Sequence, residues 1–142
     1  MGAGTTWASG YQYGILDGGA TSTFGSFELV QLIADEWEPL ERFPTLEDNG
    51  GKDFMFAGGE ASPSKVWAWM PNEIFADEIA VNVVPCTSTP ILIGLDMLRH
   101  YGLVLDYAHD TVYSHLLKRG IPSTVLKSGH LAISMLPEPG KY

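Results

Sequence analysis

The sequence predicts a mostly β domain with one main helix, and three observations carry that prediction. Sixteen glycines and nine prolines interrupt the 142-residue chain, which favours many short strands and turns over a helical bundle. Hydrophobic residues make up 45% of the chain and charged residues 18%, which suits a single domain with a packed core. Short apolar or β-branched segments recur, whereas helical periodicity is clear in one place. We therefore expect a compact sandwich or barrel.

The first half of the chain supplies one strand, one loop and the helix. We expect an N-terminal arm over residues 1–12, a folded domain over 13–136 and a C-terminal tail over 137–142. The apolar segment 11–16 predicts a strand that ends in a tight loop at Asp17-Gly18-Gly19. Ser26 is placed to cap a helix that runs to about Glu36, and the prolines after it prevent a longer one. The apolar residues spaced for one face of this helix are Leu29, Ile33 and Trp37.

The rest of the chain predicts further short strands separated by turns. Asn49-Gly50-Gly51 is a turn signal, and residues 57–64 form a loop rich in glycine and proline. Residues 96–101 predict one or two helical turns that stop at Gly102. The other predicted strands are 54–56, 65–70, 78–84, 90–94, 103–107, 111–116, 123–126 and 131–135.

Charge excludes some function classes. The net charge is −9 with only eight Lys and Arg, which argues against nucleic-acid binding. Residues 1–60 hold ten acids and two bases; a solvated acidic face is the simplest interpretation, and a patch for a basic partner remains an alternative. No segment is long and apolar enough to span a membrane, and the first residues do not form a signal peptide. The compartment stays unassigned.

The segment from Tyr13 to Thr21 is the first that indicates chemistry. It places Asp17 directly after an apolar strand and follows it with two glycines. Glycines let a backbone turn sharply and approach another closely, as when an active-site loop meets its copy across an axis. Taken alone, Asp-Gly-Gly is also a common turn.

A second pattern follows about 75 residues later. It reads Pro-Ile-Leu-Ile-Gly-Leu-Asp-Met-Leu over residues 90–98, and Gly-Leu-Val-Leu-Asp follows over 102–106. Together with the Asp17 motif, in this order and spacing, it resembles the retropepsin-like aspartic proteases. The similarity is closest to the protease domain of retrotransposon polyproteins, and it runs from about Tyr13 to Met135.

This resemblance implies a small closed β-barrel in which two copies of the chain form one active site. Each copy supplies one aspartate, here Asp17, and the two carboxylates activate a water against a peptide carbonyl. The implied partners are a second copy of the chain and an extended peptide or polyprotein substrate; no cofactor and no metal are implied. The implied active-site loop is Gly18, Gly19, Ala20 and Thr21. The implied supporting strand is Ile91, Leu92, Ile93 and Gly94. The implied substrate-covering flap begins with Phe56, Ala57, Gly58 and Gly59 and extends to Ser64.

The chain departs from the family at position 18. The family has Ser or Thr there, and its hydroxyl links the two active-site loops across the dimer axis, whereas Gly18 has no side chain. The main reading is an aspartic endopeptidase. The alternative is a catalytically inactive module retained for dimerisation or as a structural subunit of a larger assembly. A third reading is an unrelated β-barrel binding protein.

Other candidate sites carry weaker signals. The four histidines lack the spacing of metal ligands, and Cys86 has no local signature of a thiol nucleophile. Asp96 is expected to cap a helical turn and Asp106 to end a strand at the surface, although the two could imitate an acid pair. Trp67 and Trp69 are expected on one face of a strand, in core or dimer packing or as a substrate wall. The histidines are His100, His109, His115 and His130.

Overall fold

The structure is a computed structural model that describes residues 12–55, 61–75, 78–85 and 89–137. These residues are mostly strands with one main helix, as the sequence predicts. The strands are β1 (Tyr13–Leu16), β2 (Phe24–Ser26), β3 (Thr45–Met55), β4 (Ala61–Pro71), β5 (Glu78–Val84), β6 (Ile91–Ile93), β7 (Leu103–Asp106), β8 (Thr111–Ser114), β9 (Arg119–Ile121), β10 (Thr124–Val125) and β11 (Leu131–Ser134). The helices are α1 (Phe27–Trp37), which continues into a 3-10 turn (Glu38–Leu40), and α2 (Leu95–His100).

The strands form one large sheet and one small one. The large sheet has the order β10-β11-β1-β6-β2-β5-β4-β3, and the small sheet has the order β7-β8-β9. Within the described residues the large sheet is open: its edge strands β10 and β3 form no ladder with each other. The expected closed barrel is therefore not found in the described part of the chain, where β10 pairs with β11 and β3 with β4 at the two edges of the sheet.

Two parallel pairs at the centre of the large sheet determine where the loops meet. β1 lies parallel to β6, with Leu16 opposite Ile93, and β2 lies parallel to β5. On its other side β1 is antiparallel to β11. Because parallel strands end at the same edge of a sheet, the residues that follow β1 and β6 come together there.

Helix α1 has the predicted cap and the predicted buried face. The Ser26 hydroxyl accepts a hydrogen bond from the Leu29 N–H, which satisfies a donor of the first turn. Leu29, Ile33 and Trp37 are buried. The Trp37 Nε1–H donates to the Met135 carbonyl at 2.9 Å, so the helix is fixed to the residue that follows β11. Among the described residues, no helix is long and apolar enough to cross a membrane.

Several predicted boundaries are wrong for identifiable reasons. The expected turn at Asn49-Gly50-Gly51 is an irregularity inside β3, where the register shifts between Asp48 and Lys52. Gly50 and Gly51 take positive φ values of 79° and 82°, which disrupt the ladder locally without ending the strand. Part of the expected loop 57–64 is also strand, since β4 begins at Ala61. Strands β2 and β9 were not predicted, because each is a three-residue segment with a central glycine, which is unfavourable in a strand.

Candidate active site

Asp17 follows β1 directly and lies beside the end of β6. Its backbone N–H donates to the Ile93 carbonyl at 2.9 Å, which extends the parallel pairing by one residue. The predicted contact between the Asp17 loop and the strand Ile91 to Gly94 is therefore confirmed. This contact joins segments that are far apart in sequence, so local turn formation alone does not explain it.

The loop after Asp17 is a tight turn. The Ala20 N–H donates to the Asp17 carbonyl at 3.1 Å, and the Gly19 N–H donates to the Asp17 carboxylate at 2.8 Å. The second bond fixes one carboxylate oxygen over its own turn. Gly18 and Gly19 are exposed, whereas the Asp17 side chain is half-buried. The turn therefore holds the carboxylate in a defined position next to an exposed glycine pair.

Gly94 allows two backbone segments to approach closely. A Cβ atom built at Gly94 would lie 2.7 Å from the Ala20 carbonyl oxygen and 2.7 Å from the Ser22 carbonyl carbon, distances that real Cβ atoms do not adopt. Next to Gly94, the Leu95 N–H donates to the Ala20 carbonyl at 2.8 Å and the Asp96 N–H to the Thr21 carbonyl at 3.2 Å. The predicted loop is thus held along its backbone by the residues that follow β6.

The Asp96 side chain adds a contact that sequence analysis missed. Asp96 was expected to cap a helical turn, but the N-cap position of α2 is Gly94. The Asp96 carboxylate lies in the first turn, where it accepts the Met97 N–H at 2.8 Å, and it also accepts the Thr23 hydroxyl at 2.7 Å and the Thr23 N–H at 3.0 Å. The Thr23 oxygen in turn accepts the Gly94 N–H at 3.0 Å. Asp96 lies in the second motif, but nothing in the sequence pointed to Thr23 as its partner.

A small apolar cluster lies under the loop, separate from the main core. Ala20, Phe24 and Val84 are its buried members, and the half-buried Leu92 packs against them. Ala20 belongs to the loop and Leu92 to the supporting strand, so the cluster anchors both. Apolar burial and backbone hydrogen bonds thus act on the same short segment.

Position 18 has room for a side chain. No heavy atom lies within 4 Å of a Cβ atom built at Gly18, and its φ is outside the left-handed region. In this chain Gly18 is therefore required neither by space nor by backbone conformation. At Gly19, by contrast, a Cβ atom would lie 3.1 Å from the Asp17 carboxylate oxygen.

The hairpin of β3 and β4 lies where the resemblance places the flap. Its last pairs in the structure are Phe54 with Ser62 and Met55 with Ala61. The flap residues Phe56, Ala57, Gly58 and Gly59 lie outside the described residues. Lower in the hairpin, the Asn49 amide donates to Asn82 on β5 at 2.9 Å and to Ser64 on β4 at 3.0 Å. These bonds tie the middle of the hairpin to the sheet.

The two tryptophans of β4 share one face, as the alternation predicts. The ring centroids of Trp67 and Trp69 are 6.1 Å apart, and the Trp67 Nε1–H donates to Glu47 at 3.1 Å. Both side chains are half-buried, and neither belongs to the main core cluster. Packing in the main core is therefore not their role.

The competing site residues are not brought together. Asp106 ends β7, as predicted, and binds His109 at 2.8 Å. The other histidines contact Tyr101, Tyr113 and Ser128 respectively. In the part of the chain that the structure describes, no three His, Cys, Asp or Glu residues could hold a metal ion. Cys86 lies outside the described residues.

Comparisons of this chain with protein-family models, with curated proteins and with solved structures found no match. The resemblance to retropepsin-like proteases consequently rests on the two motifs. The contact between those motifs is a separate structural observation. The family assignment stays a prediction.

Proposed function

We propose that this chain is a retropepsin-like aspartic endopeptidase domain, active as a homodimer with one Asp17 from each copy. One observation carries the proposal. Asp17 ends one strand of a parallel pair, and the residues that end the other strand hold its loop from Ala20 to Thr23. Such a clamp keeps a carboxylate in place, which a catalytic group requires. Gly18 and Gly19 are exposed beside it, which is favourable for contact with the same loop of a second copy.

A pair of Asp17 carboxylates would hydrolyse a peptide bond with one shared proton. The ionised carboxylate accepts a proton from a water as that water attacks the scissile carbonyl carbon. The protonated carboxyl donates to the carbonyl oxygen, and a tetrahedral diol forms. The carboxyl that gained the proton from water then donates it to the amide nitrogen, the other carboxylate takes a proton back from a diol hydroxyl, the C–N bond breaks, and the products are a free acid and a free amine. One proton stays on the pair throughout.

The second copy is required because the chain has one Asp-Gly-Gly motif. A single carboxylate cannot serve as both base and acid in the same step. Two identical loops related by a two-fold axis place the same residue twice at one site. We therefore assign the active form to the dimer, with an extended peptide or polyprotein segment as substrate.

The absence of a side chain at Gly18, next to Asp17, favours a second candidate function. With no hydroxyl at Gly18, the link between the two loops that the family uses is absent. A module that dimerises without cleaving peptides, or that serves as a subunit of a larger assembly, is consistent with this feature. The two functions differ in whether Asp17 is needed for turnover or only for structure.

The test is cleavage of a peptide library by the purified protein, compared with Asp17→Asn and Asp17→Ala. Asn keeps the oxygen that accepts the Gly19 N–H, so the fold should persist while turnover is lost. Because an Asn followed by Gly readily deamidates to Asp, the alanine variant and intact-mass analysis exclude false activity. Asp48→Asn is the matched control: Asp48 accepts the Gly50 N–H at 2.7 Å in the same local geometry, outside the Asp17 loop.

Two further readouts test the shared site. Specific activity should fall on dilution, because the dimer dissociates. Activity should also be greatest at acidic pH and decline as the pH rises, because the pair then loses its shared proton. Cleavage that survives both Asp17 variants at full rate would contradict the peptidase assignment, and dimers without any cleavage would favour the structural module.

A further inference from the structure

An apolar groove lies between α1 and the sheet, with none of the Asp17 loop in its lining. It has a volume of about 250 Å³ and is bordered by α1, the segment that follows it, and strands β3, β4 and β5. The apolar side chains that line it include Phe27, Val30, Phe43, Leu46, Val66 and Val83. The Asp17 chemistry does not use this groove.

The walls of the groove carry three large hydrophobic side chains that are exposed. Phe27 is 59% exposed, Phe43 61% and Leu46 65%, and all three line the same groove. Scattered exposed hydrophobic residues need no explanation, but a contiguous concave set marks an interaction site. The groove therefore has the character of a docking surface.

The rim of the groove is acidic. The lining contains the carboxylates of Asp35 and Glu38 and no Lys or Arg. Two bases adjoin lining residues along the chain: Arg42 lies over the Trp37 ring, and Lys65 precedes Val66 on β4 without lining the groove itself. This rim belongs to the segment that carries most of the acidic excess of the chain, with ten acids and two bases in residues 1–60. The field at the groove therefore favours a positively charged occupant.

The size of the groove also limits its occupant. A volume of about 250 Å³ is below the roughly 300–1,000 Å³ of a typical small-molecule site. It exceeds the ~150 Å³ that suffices for a benzene ring. One large apolar side chain, with part of a neighbour, matches this space.

We propose that the groove binds a short peptide segment of a partner protein, with one large apolar side chain flanked by Lys or Arg. This inference does not depend on the proposed peptidase activity. A second copy of the chain is disfavoured, because a two-fold contact would bring the acidic rim against itself. An anionic lipid surface is disfavoured by the same repulsion.

The test uses three synthetic hexapeptides and the full chain labelled with ¹⁵N. The first probe is Arg-Lys-Phe-Leu-Lys-Arg, the second replaces Phe-Leu with Ser-Ser, and the third replaces the four bases with Glu and Asp. Affinity is measured by fluorescence anisotropy, and the site is located by NMR shift changes. We expect the first probe to bind with shifts confined to α1 and residues 43–46, and the other two to bind much more weakly.

Variants identify the contacts. Leu46→Ser should weaken the first probe roughly tenfold, because it removes a large side chain from the buried contact. Leu116→Ser is the matched control, since Leu116 is 54% exposed and does not line the groove. Replacing Asp35 with Asn and Glu38 with Gln together should weaken binding about threefold at low salt and less at high salt. Glu78→Gln, outside the groove, should have no such effect.

Each contrary result overturns the proposal in a specific way. If the Ser-Ser probe bound equally well, charge alone would account for binding and the apolar groove would not be the site. If the acidic probe bound equally well, the acidic rim would not contribute to recognition. No binding of the first probe at millimolar concentration would show that the groove does not dock peptides. Self-association that Leu46→Ser abolishes would make the groove an interface between copies instead.

Discussion

Thr23 and Asp96 join the two motifs of this chain through side chains that are 73 positions apart in sequence. Thr23, which is fully buried, donates both its hydroxyl and its N–H to the Asp96 carboxylate. The same hydroxyl oxygen accepts the Gly94 N–H. Thr23 is thus the point at which the loop after β1 and the start of α2 share one hydrogen-bond network.

Removal of the Asp96 carboxylate should destabilise the fold. Asp96→Ala leaves the buried Thr23 N–H and hydroxyl without their acceptor, which costs about 2–4 kcal/mol in the free energy of unfolding. Urea unfolding followed by tryptophan fluorescence measures this loss. Asp35→Ala is the control, because Asp35 is exposed and accepts a hydrogen bond from the neighbouring Gln31 side chain on the same helix. Equal stability of the two variants would show that the network contributes nothing.

Gly94→Ala should destabilise the fold through overlap with backbone atoms. The new Cβ would lie 2.7–2.8 Å from the carbonyl groups of Ala20 and Ser22, and neither can move without disturbing the Asp17 loop. We expect a loss of about 1–3 kcal/mol. Gly120→Ala is the matched control, because the nearest atom to a Cβ there is 3.8 Å away. Thermal unfolding of both variants, compared with the parent chain, checks this; unchanged stability of Gly94→Ala would contradict the close approach.

Gly18→Ser should raise dimer affinity and peptidase rate together. In the proposed dimer the added hydroxyl would link the two loops across the two-fold axis, and a hydrogen bond of about 1 kcal/mol gained twice corresponds to roughly 30-fold in dimer dissociation. Gly18→Ala separates this effect from simple stiffening of the chain, since it adds a Cβ without a hydroxyl. Sedimentation and peptide cleavage measure the two quantities. Tighter dimers without faster cleavage would favour the structural module.

The Asp106–His109 pair should stabilise the fold over a limited range of pH. The hydrogen bond to Asp106 and its charge raise the pKa of His109 above 6.5, and the bond from His109 lowers the pKa of Asp106 below 3.8. Because the pKa of His109 is raised in the folded chain, its protonation stabilises the fold at pH values below 6.5. This stabilisation is lost as the pH rises through the pKa of His109 in the folded state. The lowered pKa stabilises above 3.8 and loses its effect as pH falls through the folded pKa of Asp106. Both contributions are therefore present between about pH 4 and pH 6.5.

NMR titration of the histidine rings checks this pair. Asp106→Asn should lower the titration midpoint of His109, because the ring loses an ionised partner. The rings of His100, His115 and His130 serve as internal references, since their contacts in the structure are with other residues. An unchanged His109 midpoint would mean that the pair does not persist in solution.

Sequence patterns predicted the elements that are long or clearly capped. Helix α1 was recognisable because Ser26 caps it and its buried residues recur every four positions. The bounds of β5 were predicted without error, since four of its seven residues are β-branched and a proline follows. At Asn49-Gly50-Gly51 the same glycine signal that marks turns elsewhere instead marks a bulge, because flanking residues pair with β4 on both sides.

The candidate site was predictable only in part. The two motifs together, in their order and spacing, predicted that the Asp17 loop lies beside Gly94, and the Asp17 N–H bond to the Ile93 carbonyl agrees with this. The partnership of Thr23 with Asp96 was not predictable, since an Asp in the first turn of a short helix has the same sequence signature whether or not it also accepts hydrogen bonds from a distant loop. That the large sheet is open rather than closed into a barrel was also not predicted. Strand order depends on pairing between distant segments, which no single segment of sequence reveals.

The position of β1 between β6 and β11 also determines when the site can assemble. Gly14 pairs with Ile91 on one side and with Ile133 on the other, so β1 must wait for the last described strand before both its ladders can form. Contacts across such long separations form slowly, whereas the hairpin of β7 and β8 closes locally. Pulsed hydrogen exchange during refolding should protect the amides of β8 before those of β1. Simultaneous protection would contradict this order. On the proposed function, a growing chain would carry Asp17 long before the site could form, and peptidase activity would appear only once β11 had paired with β1.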